Sequence, residues 1–336
     1  RGFQAARAGA EANVADYYSV RLKLHGDVAV DYFLLRRLDT EISLLQQTIG
    51  LRADSVKIIQ ERFESGLASE MDLELARTQL AQTQTSLLEM RRQRDDLQNA
   101  LALLCGRPAA AFEIPPAPLA DVAPQIPVGL PSALLERRPD VAAAERRMAA
   151  ANAQIGVAKA AFFPALTLTG EAGYSSFHAA TLLDWESQLF QFGPAVTVPI
   201  LNGGRLRSGL KAARADYQAA CATYRQQVLA AFKDVSDALV DVDSYSQQLA
   251  TETNAVNAAD EAARLSRERQ QQGLINYLEV LEAERSQLQA QSQMIQLRAL
   301  RLVSTVHLIK ALGGGFDATA VTANPRPPAD AASKGS

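Results

Sequence analysis

Long apolar runs, grouped cysteines, aromatic residues and an excess of one charge are all scarce in this 336-residue sequence. No stretch approaches the roughly 18 uncharged apolar residues that a spanning helix needs, which excludes a helical membrane protein. The 34 basic and 37 acidic residues give a net charge of -3, which excludes an electrostatic nucleic-acid binder. Cys105 and Cys221 form neither a disulfide framework nor a metal-ligand spacing. Hydrophobic residues make up 48% against 6% aromatics, which indicates the Ala, Leu and Val of long amphipathic helices.

Patterns that resemble catalytic or cofactor sites are incomplete. His25, His178 and His307 are scattered, and none has a second ligand at metal spacing. The Asn-Gly-Gly turn at 202–204 lacks both glycine-rich phosphate-loop patterns, so a tight strand-to-helix turn is the better interpretation. Ser, Cys and His residues form no nucleophilic arrangement. The sequence therefore predicts no enzyme, no cofactor and no metal site.

The two ends of the chain repeat each other. A shift of 207 residues aligns them without a gap and pairs Arg62 with Arg269, Gly66 with Gly273, Leu67 with Leu274 and Gly106 with Gly313. Each copy contains a long helix, an Arg-x-x-x-Gly-Leu break, a second helix and a glycine stop. Residues 139–207 have no counterpart before the first copy, so we expect an equivalent segment upstream of Arg1.

Apolar residues at helical spacing predict four long helices and a shorter one. They cover 5–64, 70–105, 139–162, 208–271 and 276–312. The first helix would be about 90 Å long, which favours a coiled-coil-like bundle or tube over an ordinary globule. The predicted organisation is a first helical pair (1–106), a proline-rich linker (107–138), a helix (139–164), a β-hairpin (165–201), a second helical pair (202–313) and a disordered tail (314–336).

The β signal is confined to two alternating segments. Leu166, Leu168, Ala172 and Tyr174 alternate with polar or small residues, and so do Phe190, Phe192, Val196, Val198 and Ile200. The length and period are those of membrane-barrel strands, which take about 9–11 residues. A half-buried soluble hairpin remains an alternative on alternation alone. However, an isolated hairpin is only marginally stable, so these strands need partners from other chains.

Three carboxylates occupy related positions after the helix breaks. Asp72 and Glu279 each follow the glycine of a break by six residues, and Glu282 lies on the same helix face as Glu279. They are either a solvated face or, if the breaks gather around a symmetry axis, a ring of acids.

Several stretches resemble TolC-like outer membrane efflux proteins, most closely the NodT-type lipoprotein branch of RND efflux systems. These stretches include LLERRPDVAAAERRMAAANAQIGVAKAAFFPALTLTGEAGYSS, GPAVTVPILNGGRLRSGLKAARADYQAACATYRQQVLAAFKDVSDAL and QQGLINYLEVLEAERSQLQAQ. The resemblance runs from about Arg1 to Phe316. It corresponds to the last two-thirds or so of such a protein, and the rest would hold an acylated N-terminal cysteine and the first hairpin.

The resemblance implies a mainly α fold with a membrane β-hairpin. Long antiparallel helices would form a periplasmic α-barrel, and a homotrimer would close a 12-stranded outer membrane β-barrel. The strand residues Phe190, Phe192, Val196 and Val198 would face lipid. The implied partners are a periplasmic adaptor (membrane fusion) protein, an inner-membrane RND pump and outer membrane lipid.

The resemblance also assigns residues to the periplasmic end. The adaptor would dock on two tips, formed by Gly66, Leu67, Ala68 and Ser69 and by Gly273, Leu274, Ile275 and Asn276. Asp72, Glu279 and Glu282 match acidic positions that constrict the closed tip. Ile275 replaces a residue that is basic in some relatives.

The function that this resemblance implies is a passive exit duct for drugs, metals or other small solutes in the Gram-negative outer membrane, extending into the periplasm. A soluble coiled-coil scaffold is the alternative. Dependence of the purified protein on detergent would separate the two.

Overall fold

The computed structural model describes residues 1–120 and 138–316. Its elements are helices α1 (Gly2–Glu64), α2 (Glu70–Leu104) and α3 (Pro139–Ala160), strands β1 (Ala165–Tyr174) and β2 (Gln188–Thr197), and helices α4 (Arg205–Gln271) and α5 (Tyr277–Ala311). All five predicted helices and both strands are present. No helix in the described ranges is both long enough and apolar enough to cross a membrane.

The helix ends follow the local signals with small differences. α1 and α4 begin three residues earlier than predicted, and α5 begins one residue later. Asn276, predicted as helical, is instead the N-cap of α5 with extended backbone. Cys105, predicted as the end of the second helix, is the C-cap of α2.

The described residues form two compact units, and both α1 and α4 contribute to each. The first unit combines Arg1–Tyr17 with Pro139–Leu229. Its interior is built from small side chains, since Ala15 and Ala143 are fully buried. Such residues let neighbouring helix backbones approach closely. At the edge of this packing, Arg146 of α3 forms a 3.5 Å salt bridge with Glu11 of α1.

The second unit combines the described part of 18–138 with Ala230–Phe316. Its core is leucine-rich, and the side chains that are most completely buried include Leu35, Leu38, Leu101, Leu281 and Leu302. These residues come from α1, α2 and α5. Within this unit, fully buried leucines thus come from both helical pairs of the repeat.

A buried carboxylate fixes the chain segment that follows α2. Asp39 of α1 accepts hydrogen bonds from Arg36 (2.8 Å), from Arg94 of α2 (2.6 Å) and from the backbone N–H of Ala117 (3.2 Å). Arg94 also donates to the carbonyl oxygen of Ile114 at 2.7 Å. The segment thus gains partners for its backbone without regular secondary structure beyond a single 3-10 turn at Ala109–Ala111.

Two of the predicted segments extend beyond the described residues. The proline-rich linker (107–138) is described only to 120 and at 138, and the tail (314–336) only to 316. The predicted irregularity of 121–137 and the predicted disorder of 317–336 therefore concern residues outside the described ranges.

β1 and β2 pair antiparallel over ten positions, from Ala165 opposite Thr197 to Tyr174 opposite Gln188. The predicted strand residues Val198 and Ile200 lie past the end of β2, which stops at Thr197. The next pair in this register would place Val198 opposite Pro164, and proline has no N–H to donate to a strand ladder. The assignment of Val198 to the strand is therefore wrong.

Candidate functional site

The first break between paired helices is a Schellman turn around Gly66. The Gly66 N–H donates to the carbonyl oxygen of Phe63 at 2.9 Å, and the Leu67 N–H donates to that of Arg62 at 2.7 Å. This pattern satisfies the last carbonyl groups of α1 and requires a left-handed residue at its centre. Gly66 supplies that conformation with φ +72°, which a residue with a Cβ adopts only with strain.

The second break repeats this geometry 207 residues later. Gly273 has φ +75° and donates to the carbonyl oxygen of Gln270 at 2.9 Å. The Leu274 N–H donates to the carbonyl oxygen of Arg269, also at 2.9 Å. The internal repeat seen in the sequence is therefore a repeat of hydrogen bonding, and each copy presents a leucine directly after its glycine.

Each turn exposes two large apolar side chains. Leu67 and Met71 are 79% and 69% exposed at the first turn, and Leu274 and Leu278 are 64% and 50% exposed at the second. Met71 and Leu278 were missed at the level of sequence, although the same 207-residue shift relates them. Ala68, predicted as a docking residue, is half-buried and packs against a core cluster.

The residues that begin the second helix of each pair are caps. The Ser69 hydroxyl oxygen accepts from the Asp72 N–H at 3.1 Å, and the Asp72 carboxylate accepts from the Ser69 N–H at 3.3 Å. This reciprocal pair is a capping box. At the second turn the Asn276 side-chain oxygen accepts from the Glu279 N–H at 3.1 Å. Two of the three candidate gate acids thus occupy the third position of their helices.

The three candidate gate acids differ in what their carboxylates contact. Asp72 is half-buried and also accepts a 2.7 Å hydrogen bond from the Ser69 hydroxyl. Glu282 is exposed and forms a 3.2 Å ion pair with Arg285. Glu279 is exposed, and its carboxylate has no hydrogen-bond partner among the described residues. The role of these acids in gating remains a prediction.

A small apolar cluster anchors the turns to the helices behind them. Ile59 of α1, Leu73 and Ala76 of α2 and Tyr277 of α5 are buried together. Tyr277 is the first residue of α5. Its burial against α1 and α2 therefore packs the start of α5 against the first helical pair. The two turns are consequently positioned by one shared core.

A buried polar cluster lies next to this core and was not predicted. Arg52 of α1 donates to the carbonyl oxygen of Gln79 at 3.0 Å and to the hydroxyl of Thr83, both in α2. The carboxylate of Glu284 in α5 is close enough to Arg52 for the two charges to attract each other. One of its oxygen atoms also lies 3.8 Å from a guanidinium nitrogen of Arg267 in α4. Burial raises the pKa of Glu284, and the two arginines oppose the rise only in part. Burial and the nearby Glu284 likewise raise the pKa of Tyr277, with Asp72 adding to the rise and Arg52 opposing it.

The hairpin has one apolar face that nothing in the described residues covers. The register places Leu166 opposite Val196, Gly170 opposite Phe192 and Ala172 opposite Phe190. The large side chains on this face are strongly exposed: Leu166 at 75%, Leu168 at 63%, Phe190 at 77%, Phe192 at 75% and Val196 at 66%. Val198, beyond the strand, is 52% exposed. An exposed apolar face of this size is typical of a surface that contacts a partner or a membrane.

Residues suited to metal binding or redox chemistry are dispersed. Within 1–120 and 138–316, no three His, Cys, Asp or Glu side chains come close enough to hold a metal ion. Cys105 is exposed and Cys221 is half-buried, and neither forms a disulfide. The candidate functional features are therefore surfaces. They are the two turns with exposed apolar side chains, the acidic residues that follow these turns, and the apolar face of the hairpin.

Known proteins match the chain over nearly its whole length. The model of the outer membrane efflux protein family matches residues 2–107 and 130–314. The toluene efflux pump outer membrane protein TtgI of Pseudomonas putida is 37% identical over 89% of this chain and 64% of its own length. The outer membrane protein OprJ of Pseudomonas aeruginosa is 37% identical over 94% of this chain and again 64% of its own length. The chain thus spans slightly less than two-thirds of these relatives.

Solved structures share the fold. A membrane protein from Pseudomonas aeruginosa superposes with a TM-score of 0.86 at 34% identity, covering 94% of this chain and 71% of that one. The open state of the MtrE outer membrane channel of Neisseria gonorrhoeae gives a TM-score of 0.83 at 30% identity, covering 94% and 72%. The predicted mainly α fold with a membrane-type β-hairpin is confirmed, and the chain belongs to the outer membrane efflux protein family.

Proposed function

We propose that the protein is the outer membrane exit duct of a tripartite RND-type efflux system, acting as a passive homotrimeric channel for small solutes. The observation that carries this proposal is the family match, which includes both helical pairs and the hairpin. Several relatives are themselves named as outer membrane proteins of efflux pumps. A family of efflux proteins gives no reason to assign a catalytic residue, and energy would come from the inner-membrane partner.

The hairpin supports a trimeric assembly. β1 and β2 pair only with each other, so the outer edge of each strand is left without a ladder partner in the described chain. Unpaired strand edges cannot stand in hydrocarbon, where no water satisfies their N–H and C=O groups. Strands from neighbouring protomers would close the sheet, and the apolar face with Phe190 and Phe192 would then contact lipid.

The two helix-to-helix turns support docking of a periplasmic adaptor protein. Each turn presents a leucine, together with Met71 or Leu278, at an otherwise polar helix end. An exposed apolar pair with fixed backbone geometry suits a partner that offers an apolar contact of its own. Because the two turns share their hydrogen-bond pattern, one type of adaptor surface can engage both.

The acids near these turns support a gate that also selects charge. In a trimer, Glu279 and Glu282 would contribute six carboxylates around one axis, and Asp72 would contribute three more. Carboxylates held close together repel one another when ionised and attract cations. We expect the resting pore to prefer cations and to be blocked by multivalent cations from the periplasmic side.

The substrate class stays broad in this proposal. Relatives at similar identity carry names that refer to solvent efflux, toluene efflux and pyoverdine export. Overall identity therefore does not decide the cargo. A wide water-filled duct makes few specific contacts, so the inner-membrane pump would select the solute.

A double substitution at the turns tests the docking step. Leu67→Asp with Leu274→Asp, made in the full gene product and expressed with its adaptor and pump, should abolish efflux-dependent resistance. Trimer assembly should be unchanged because both side chains are exposed. The control is Leu67→Met with Leu274→Met, which keeps the apolar surface and should keep resistance. Normal resistance in the aspartate variant would refute docking at these turns.

A further inference from the structure

Charge is distributed unevenly around the hairpin. Lysine and arginine are absent from 160–204, where the acidic residues are Glu171, Asp184 and Glu186. Basic residues resume immediately outside this range. They are Lys159 on one side and Arg205, Arg207, Lys211 and Arg214 on the other, with no acidic residue between 187 and 215. We call these five residues the basic collar.

We propose that the basic collar binds the phosphate groups of anionic phospholipids in the leaflet that surrounds the base of the hairpin. The inference rests on the proposed placement of the hairpin in the outer membrane. It adds a specific lipid preference that this placement does not require.

The strand register places both parts of the collar at one end of the hairpin. Ala165 pairs with Thr197 at the base. Lys159, in the last turn of α3, precedes that pair by six residues, and Arg205, the first residue of α4, follows it by eight. The two halves of the collar therefore flank the same end of the sheet.

The rest of the collar continues along one side of α4. Arg207, Lys211 and Arg214 are spaced i, i+4 and i+7, which places them on one helix face. The collar is thus an extended basic surface rather than a single point. A surface of this kind suits a layer of headgroups better than one small anion.

The collar residues are exposed and are not used by the fold. All five are exposed, and none forms an ion pair with an acidic side chain among the described residues. Elsewhere on the long helices, several arginines pair with carboxylates one turn away, as Arg264 does with Glu261 at 2.6 Å. In addition, the first turn of α4 contains no acidic residue, and basic residues at a helix N-terminus oppose the helix dipole. Helix stability therefore does not account for their positions.

Apolar side chains separate the collar from the strands. Phe162 and Phe163 follow Lys159, and Ile200 and Leu201 precede Arg205, with exposures from 40% to 98%. Outward from the strands, the order is an apolar sheet face, an aromatic and aliphatic band, and then basic residues. A bilayer presents hydrocarbon, interface and phosphate in the same order. Because the residue types follow the same order as the regions of a bilayer, a lipid headgroup is favoured over a soluble polyanion as the ligand.

The opposite end of the hairpin lacks this arrangement. Trp185 is 81% exposed there, but its neighbours are Asp184 and Glu186, and no basic residue lies near them in sequence. Attraction to anionic headgroups is therefore expected at the base alone. Since exposed charges are screened by salt, the preference should weaken as ionic strength rises.

The test measures lipid retention by the full gene product. The trimer is purified in a neutral detergent and titrated with phosphatidylglycerol or phosphatidylcholine, and retained lipids are counted by native mass spectrometry. The test variant combines Lys159→Gln, Arg207→Gln and Lys211→Gln. The charge-matched control combines Arg21→Gln, Lys23→Gln and Arg91→Gln, which are also exposed and likewise form no ion pair with an acid in the described ranges.

We expect the unmodified trimer to retain at least about fivefold more phosphatidylglycerol than phosphatidylcholine at low salt. The collar variant should bring this ratio close to one, whereas the control should preserve it. A second variant, Lys159→Arg with Arg207→Lys and Lys211→Arg, should also preserve it because it keeps the charge. An unchanged ratio in the collar variant, or an equal loss in the control, would overturn the proposal.

The outcomes also separate this inference from the proposed function. A trimer that inserts into bilayers and conducts ions but shows no phosphatidylglycerol preference would refute the collar alone. Failure of the unmodified protein to insert into any bilayer would instead refute its placement in the membrane.

Discussion

Replacing Asp39 with alanine should be among the most damaging single changes outside the apolar core. The carboxylate is 3% exposed and accepts hydrogen bonds from Arg36, Arg94 and the backbone N–H of Ala117. Its removal leaves two guanidinium groups, 8% and 13% exposed, without their charge partner. It also removes one of the hydrogen bonds that join the segment after α2 to α1, and leaves those that Arg36 and Thr40 make with this segment.

The expected cost follows from desolvation. Removing one partner of a buried ion pair typically destabilises a protein by about 3–5 kcal/mol, because the remaining charge is left uncompensated. The loss should be local at first, since the carboxylate holds a segment without regular secondary structure. A loss of about 3 kcal/mol raises the rate of hydrogen exchange through local opening by roughly two orders of magnitude.

Hydrogen exchange read by mass spectrometry on peptides covering 112–120 provides the assay. The Asp39→Ala protein should exchange there much faster than the unmodified protein, and Asp39→Asn should fall between them because it keeps an acceptor oxygen. The control is Glu89→Ala, which removes the exposed 2.6 Å pair with Arg92 on α2 and should have no measurable effect. Equal protection of 112–120 in the Asp39→Ala and Glu89→Ala proteins would contradict this reasoning.

Three further predictions concern the hairpin, the gate and pH. Phe192→Arg, at the sixth of ten strand pairs, should destabilise the membrane-inserted trimer by about 2–4 kcal/mol, and Val196→Arg, one pair from the base, should destabilise it less. The resistance of the trimer band to heat, measured in membranes, tests both variants. A stable Phe192→Arg trimer would disprove a lipid-facing site. Glu279→Ala with Glu282→Ala should lower cation selectivity and weaken multivalent-cation block in single-channel recordings, and wild-type values would leave these acids as a solvated face. The pKa of Glu284 is raised in the folded state, so its contribution to stability is complete below its ordinary pKa of 4.5 and declines as pH rises through the raised value. Glu284→Gln should flatten this decline in the free energy of unfolding, measured with denaturant at several pH values. An unaltered pH dependence would contradict the prediction.

The sequence predicted the helices and turns well because their signals are local. Gly66 and Gly273 both adopt left-handed backbone conformations. A glycine at the same distance from an arginine in both copies indicates such a turn, because glycine adopts this conformation without strain. The alternation in the strands likewise predicted which side chains share a face. Val198 was misplaced because the alternation continues past Thr197, whereas the residue that would pair with Val198 is Pro164, which precedes β1.

The parts that escaped prediction depend on contacts between distant segments. Arg52 looks like any helical arginine until α2 brings Thr83 beside it. Asp39 gives no hint in sequence that it will hold a segment nearly eighty residues away. Met71 and Leu278 could have been found, because the 207-residue shift that relates the two leucines relates them as well.

The unequal caps of the two turns limit how the duplicated unit can diverge. Asp72 completes a reciprocal cap with Ser69, so replacing it changes both the helix start and the local charge. At Glu279 the cap uses the backbone N–H, and the carboxylate takes no part in it. Mutation can therefore alter charge at the second turn without disturbing its helix, whereas the first turn couples the two properties. A change of charge at this end of the molecule is therefore least constrained in the second copy of the repeat.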